Sequence, residues 1–210
     1  MRRQEVPGVV IKRLPVYLQV LAEIDAENEP IISSQVLAQR AGINSGQLRK
    51  DLSYFGLFGR QGVGYQSGVL LHEIRKILKL DQEKRIALVG AGSLGLALTR
   101  YNLQREQADP DYRLKISAIF DNDPKKVGKK IASHIIEHVD GMPDVIKRSG
   151  IALAIVTVPA QEAQKIADLC AGAGVKGILN FAPVRLKTPP FVRVHHMDLA
   201  AELQSLAYYG

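Results

Sequence analysis

Ile86-Ala87-Leu88-Val89 runs without a break into Gly90-Ala91-Gly92-Ser93-Leu94-Gly95, and an apolar helical pattern (Leu96, Leu98, Tyr101, Leu103) follows at once. A G-x-G-x-x-G alone carries little weight, but between a buried strand and a helix it fixes a local backbone path. Gly90 permits a tight turn, Gly92 lets the backbone approach a pyrophosphate, and Gly95 allows the helix to pack closely on the strand. The first turn of that helix, with Ser93 and Leu94, offers unpaired N–H groups and a partial positive charge to an anion.

The rest of the C-terminal stretch extends this start into a parallel, Rossmann-type sheet. A strand over 114–120 ends in Asp121, and Ile151–Val158 and Gly177–Phe181 are continuous apolar runs suited to strands buried on both faces. A helix over 161–171 joins the last two, and Val192–His196 reads as a further strand. In such a sheet the loops after the strands border the ligand crevice, which nominates Thr157, Val158 and Pro159, and Asn180, Ala182 and Pro183. Asp121 is placed to accept hydrogen bonds from ribose hydroxyls and to repel a 2′-phosphate, favouring NAD over NADP. Lys125 and Lys126 weaken that preference, and Asp121-Asn122-Asp123-Pro124 also reads as a turn.

The N-terminal stretch has a different grammar. Leu14, Tyr17, Leu18, Leu21 and Ile24 form the stripe of an amphipathic helix over 14–24, with Pro15 near its start. A short helix over 34–41 places Val36, Leu37 and Ala41 inward and stops at Gly42. The next helix opens on Asn44 as N-cap with Gln47 as the reciprocating residue, and it turns Leu48, Leu52 and Phe55 inward. Its outward face carries Gln47, Arg49, Lys50, Ser53 and Tyr54, side chains that suit purine edges and phosphate oxygens. The glycine-bracketed run from Gly56 to Tyr65 reads as a small hairpin, or wing, with Arg60 near its tip and suited to a narrow minor groove. A helix over 68–80 closes this part, and Asp81–Lys84 forms a short polar linker.

The expected class is therefore α/β: a winged helix-turn-helix domain over 1–80, a Rossmann-type dinucleotide domain over 84–196, and a C-terminal helix over 197–210. Asp198 caps that last helix, whose Leu199, Leu203 and Leu206 make an apolar stripe suited to a partner subunit in a homodimer. The net charge of +7 favours an anionic partner, and the first 80 residues hold 11 basic against 7 acidic side chains. No apolar run reaches the roughly 18 residues of a membrane span. Met1–Glu5 leads into no signal-peptide core, because Lys12 and Arg13 interrupt Val9-Val10-Ile11, so a cytoplasmic location is expected. The lone Cys170 reads as a buried helix residue and excludes a disulfide within one chain.

His134-Ile135-Ile136-Glu137-His138 matches a zinc motif that works only on a helix. Its β-branched residues favour a strand, on which the two histidines stand about 13 Å apart. Three functions remain: a ligand-sensing DNA-binding repressor, an NAD-dependent oxidoreductase, and a coenzyme A-binding protein. The oxidoreductase needs a substrate domain and a positioned acid–base group; His195 and His196 are its only candidates, and a surface position explains them as well.

Arg13-Leu14-Pro15, the run from Gln47 to Gly56, Gly62-Val63-Gly64-Tyr65, Thr157-Val158-Pro159-Ala160, the run from Gly177 to Pro183, and Asp198-Leu199-Ala200 resemble the Rex family of redox-sensing repressors. The resemblance covers nearly the whole chain. It implies a homodimer that binds operators near genes of fermentation and respiration and leaves them when the NADH/NAD+ ratio rises, with NADH and NAD+ as ligands and no catalysis. It also implies that Tyr101 and Asp198 couple the nicotinamide end to the domain arrangement. This chain carries Gln19 where a basic residue is common in that family.

Overall fold

The computed structural model describes residues 6–210, which form two compact units meeting between Gln82 and Glu83. The Met1–Glu5 reading, and the first residues of the expected 1–80 domain, lie outside the described residues. Among these, no helix is long and apolar enough to cross a membrane.

The first unit runs α1 (Gly8–Ala26), β1 (Ile31–Ile32), α2 (Ser34–Arg40), α3 (Ser45–Ser53), β2 (Tyr65–Gln66) and α4 (Ser67–Ile77). Leu14, Tyr17, Leu21 and Ile24 of α1 close on Leu37, Leu48, Leu52 and Ile74 in one apolar core. Helix α1 begins six residues earlier than the stripe from Leu14 suggests, because Val10 is buried too and extends the same face. Pro15 therefore lies inside the helix, not near its start. Its exposed position lets water satisfy the Ile11 carbonyl that loses its intrahelical donor. On α2 the inward residues are Leu37 and Ala38, whereas Val36 is 40% exposed; in seven residues the apolar period is too short to set the phase. Helix α3 starts at Asn44 as expected, its Oδ1 accepting the Gln47 N–H at 2.8 Å. The wing is small: β1 and β2 pair antiparallel over two residues each, and Arg60 and Gly64 close the turn between them.

The second unit runs β3 (Lys84–Val89), α5 (Ser93–Ala108), β4 (Leu114–Asp121), β5 (Lys130–Ile131), β6 (His134–His138), α6 (Met142–Ser149), β7 (Leu153–Val156), α7 (Ala160–Ala173), β8 (Gly177–Asn180), β9 (Arg193–His196) and α8 (Leu199–Leu206). Its seven strands lie in the order β5-β6-β4-β3-β7-β8-β9, all parallel except the β5 edge. The chain leaves β3 to one side for β4 and β6, then returns to its other side for β7, β8 and β9. This reversal creates a topological switch point at the carboxyl ends of β3 and β7. One face (Ala87, Val89, Phe120, Val156) packs on α6 and α7, the other (Ile86, Leu88, Ile119) on Leu96 and Leu98 of α5. Where β3 pairs with β4 the register skips Ser117, so Ile116 and Ala118, opposite Ile86 and Ala87, still reach opposite faces.

Helix α5 buries Gly95, Thr99 and Asn102, and Tyr101 faces outward at 58% exposure, so its aromatic ring is no part of the helix's apolar seam. His134–His138 is a strand, in keeping with its β-branched residues. In α8, Leu199, Leu203 and Leu206 are 58%, 66% and 63% exposed, and Asp198 Oδ1 caps it by accepting the Ala200 and Ala201 N–H groups.

Candidate functional site

At the switch point the β3–α5 turn and the end of β7 are locked together. Gly90 has φ of +103°, and a Cβ there would stand 2.7 Å from the Thr157 carbonyl oxygen. Thr157 donates its hydroxyl to the carbonyls of Val89 and Gly90 at 3.1 and 2.8 Å. A Cβ on Gly95 would collide with the Gly90 carbonyl oxygen, so helix and strand can meet this closely only at glycine. Gly92 differs: its φ is ordinary and nothing lies within 4 Å of where a Cβ would stand. The open space above Gly92 and the free first-turn N–H groups of α5, next to exposed Ser93 and Leu94, form a cradle for phosphate.

A cleft of about 220 Å³ opens from this cradle and is bordered by Gly90, Gly92, Asp121, Asn122, Lys126, Thr157, Val158 and Pro159. Ala91 lies beneath it, 3% exposed, and its N–H donates to Asp121 Oδ2 at 2.7 Å. Asp121 is 4% exposed, and it accepts two further bonds: the Asp123 N–H on Oδ1 at 2.8 Å and the Lys126 ammonium on Oδ2 at 3.0 Å. Burial pushes this carboxyl up, but the bonds from Asp123, Lys126 and Ala91 outweigh it and hold the acid below its ordinary range. The acid expected to read ribose is thus also the turn former.

Asn180, Ala182 and Pro183 do not border this cleft. Asn180 is fully buried, and its amide is spent on its own loop: Nδ2 on the carbonyls of Ala182 and Val184 and close to His196 Nδ1, Oδ1 on the Ala182 N–H. Its side chain pins the β8 loop. Ala182 is buried beside it and Pro183 is exposed. A wider groove of about 310 Å³ lies beside the wing in the other unit, lined by Ile31, Phe58, Val63 and Val69. It has no glycine-rich helix start, so it carries none of the dinucleotide chemistry.

On the first unit, Arg49, Lys50 and Ser53 lie exposed on α3, and Arg60 is exposed in the wing. Arg49 Nη1 is 3.0 Å from Ser34 Oγ, and the Ser53 hydroxyl bonds back to the Lys50 carbonyl at 2.7 Å. Tyr54 is half-buried at the end of the helix. Gln47 departs from expectation. It does not reciprocate the cap: its Nε2 donates to Asp51 Oδ1 at 2.7 Å, which draws the side chain along the helix toward the carboxylate one turn on.

Two family models match the chain, "CoA binding domain" over residues 81–184 and "Putative DNA-binding protein N-terminus" over residues 5–53. The redox-sensing transcriptional repressor Rex of Brevibacillus brevis is 43% identical over 208 residues, 99% of this chain and 98% of that protein. The Rex protein of Chloroflexus aggregans is 42% identical over 99% of this chain and 96% of its own length. This chain belongs to the Rex family of redox-sensing transcriptional repressors. The solved structures agree. RSP, a Rex-family repressor, matches with a TM-score of 0.89 in its complex with β-NAD+ and operator DNA, at 34% identity over 98% of this chain and 93% of that one. Its complex with β-NADH matches with a TM-score of 0.84 at 32% identity over 98% and 94%.

The structural role of Asp51 escaped the sequence reading, and Lys126 was read there only as weakening the preference set by Asp121. Asp51 lies on the inward face of α3 between Leu48 and Leu52, fully buried, and an acid there requires a partner. The signal was present: Arg13 and Tyr17, one turn apart on α1, both reach it. Lys126 was visible only as charge near a turn, and its ion pair to Asp121 depends on how that turn folds.

Proposed function

We propose that this Rex-family repressor reads the NADH/NAD+ ratio, holding operator DNA when NADH is low and leaving it when NADH binds. The observation that carries this reading is the fold likeness, over 98% of the chain, to a repressor solved with β-NAD+ and operator DNA and again with β-NADH. The pyrophosphate would lie on the Gly90–Gly95 turn and the N–H groups of Ser93 and Leu94, with Thr157, Val158 and Pro159 along one wall and the ribose near Asp121. Ala91, Asn180, Ala182 and Pro183 would contact the dinucleotide from the adjoining loops, of which Ala91, Asn180 and Ala182 also hold the backbone in place. Arg49, Lys50, Ser53, Tyr54 and Gln47 would meet the major groove, and Arg60 the minor groove.

The dinucleotide is a signal here, not a reactant. The oxidoreductase reading needs an acid–base pair at the nicotinamide, and its candidates His195 and His196 are exposed on β9 with His196 beside Asn180. The match to a coenzyme A-binding domain favours a second reading, in which another adenine nucleotide fills the cleft. Domain limits of 1–80 and 84–196 follow from these roles. The uncovered stripe of α8 in 197–210 supports a homodimer in which that helix docks on the partner, and Tyr101 and Asp198 would transmit ligand state. Release requires only that NADH favour the state with low DNA affinity more than NAD+ does. Titrating NADH, NAD+ and coenzyme A by calorimetry tests the ligand: tight NADH binding supports the reading, and preference for coenzyme A overturns it.

A further inference from the structure

The wing leaves the apolar core of the first unit at Leu57 and returns to it at Tyr65. Its stem is fixed by close approaches, while Arg60, Gln61 and Gly62 at its tip stand exposed. Gly64, with φ of +111°, lies so near β1 that a Cβ there would collide with the Ile32 carbonyl oxygen. Tyr65, the partner of Ile32 across the strands, is 8% exposed, and its ring runs from the core to Gly59. A Cβ on Gly59 would stand 3.1 Å from Tyr65 Cζ and 2.9 Å from the Gly64 carbonyl oxygen. The chain therefore crosses this ring in close contact, at a residue with no side chain to hold it off. Arg60 closes the turn just beyond, its N–H donating to the Gly64 carbonyl at 2.8 Å and its carbonyl accepting the Gly64 N–H at 2.9 Å.

The same ring reaches the groove that separates the wing from α3. Ser34, Arg49, Arg60, Gln61 and Tyr65 line this groove, and the charged side chains along it are both basic. Burial raises the Tyr65 pKa above its ordinary value, while the Arg49 charge and the Gly59 N–H act in the opposite direction. On the far wall Ser34 Oγ accepts from Arg49 Nη1 at 3.0 Å.

We propose that Tyr65 is a positioning residue for DNA binding: its ring is the floor on which the wing rests, and it sets the reach of Arg60 relative to Arg49 so that one duplex meets both. The strands of the wing pair over only two residues each, too few to hold a direction without support from the core. A wing that had to be ordered on binding would lose affinity to that ordering. The ring removes this cost, because Gly59 and Gly64 are already seated against it before DNA arrives.

This role rests on the proposed contact of Arg49 and Arg60 with the operator, and its test separates the two. Operator affinity is measured by gel shift on the full chain, with urea unfolding of every variant. Arg60→Ala, Tyr65→Leu and Gly59→Ala are each expected to weaken binding by about tenfold. Combined with Arg60→Ala, neither Tyr65→Leu nor Gly59→Ala should add more than about twofold, because Tyr65 acts through the wing arginine. Tyr65→Phe, which keeps the ring, should stay within about threefold of the parent. Parental affinity in a folded Tyr65→Leu, or full additivity with Arg60→Ala, overturns the positioning role. A loss in Tyr65→Phe equal to that in Tyr65→Leu overturns the ring as the floor. Unchanged affinity in Arg60→Ala overturns the contact of the wing with the operator itself, and the role of Tyr65 with it. If Tyr65→Leu unfolds, Gly59→Ala, which leaves the core side chains in place, decides on the same comparison.

Discussion

Arg13 on α1 grips Asp51 on α3 through both of its forks, Nε to Oδ2 at 2.6 Å and Nη2 to Oδ1 at 2.8 Å. Tyr17 adds its hydroxyl to Oδ2 at 2.6 Å, and Gln47 its amide to Oδ1 at 2.7 Å. Asp51 has no exposed surface, so a single carboxylate fixes α3, the helix with Arg49 and Lys50 on its outer face, to α1. Removing the acid leaves the Arg13 cation and the Tyr17 hydroxyl without their partner. Asp51→Ala should therefore lower the stability of the first unit by about 3 kcal/mol. Urea unfolding followed by circular dichroism checks this, and a loss below about 0.5 kcal/mol would show that the pair is not holding α3.

The same network sets a pH dependence. Burial raises the Asp51 carboxyl, but bonds from Arg13, Tyr17 and Gln47 bring it below its ordinary range, and Asp121 is lowered likewise. A group lowered in the folded state contributes stability above its unfolded value, about 3.9 for Asp, and loses it as pH falls through the folded value. Tyr17 is shifted upward by burial and by Asp51, so its contribution holds below about pH 10 and is lost as pH rises further. The unfolding midpoint should be flat through neutral pH and fall below about pH 4. Asp51→Asn should show a shallower acid limb; an identical limb would assign acid lability to other carboxylates.

Two glycines of the β3–α5 turn, Gly92 and Gly95, should separate by phenotype. Gly92→Ala meets no atom and no backbone strain, so the protein should melt as the parent does while NADH affinity falls by about tenfold, through lost phosphate contact. Gly95→Ala drives a methyl into the Gly90 carbonyl, with Thr157 Oγ1 and Leu88 Cδ2 at 3.0 and 3.1 Å. It should cost about 1–3 kcal/mol of stability. Thermal unfolding with and without NADH distinguishes them, and equal melting of the two variants would contradict this division.

Arg49 is exposed on α3 and hydrogen-bonded to Ser34, so it can be removed without disturbing the core. Arg49→Ala should weaken operator binding by about tenfold or more, leaving NADH binding and melting unchanged. Gel shift and calorimetry on one preparation read both. Unaltered operator affinity would move the DNA contact off this residue.

Long, periodic or motif-bearing segments were legible in the sequence. Ile86–Gly95 predicts its strand, turn and helix because each of the three glycines answers a separate backbone demand. Parallel strands such as Leu153–Val156 announce themselves by unbroken apolar runs. The shortest strands, and a helix without a clear stripe, were not legible. The two residues of β1 and of β2, and the eight of α6, are too few to show a period, and they form because tertiary partners complete them. Side-chain duty was harder still. Asn180 reads as a ligand contact from its position after a strand, yet it closes its own loop; Gln47 reads as a cap partner, yet a carboxylate from the buried face of the same helix captures it. In both cases a local bond, invisible to spacing rules, engages the side chain.

In the function proposed above, NADH, and not dinucleotide binding as such, releases this chain from DNA. Operator affinity measured by gel shift at fixed protein, across NADH/NAD+ ratios at constant total dinucleotide, tests it most directly. The bound fraction should fall as NADH replaces NAD+ and recover when NAD+ is restored. Equal operator affinity at every ratio would show that the ring's redox state does not govern release.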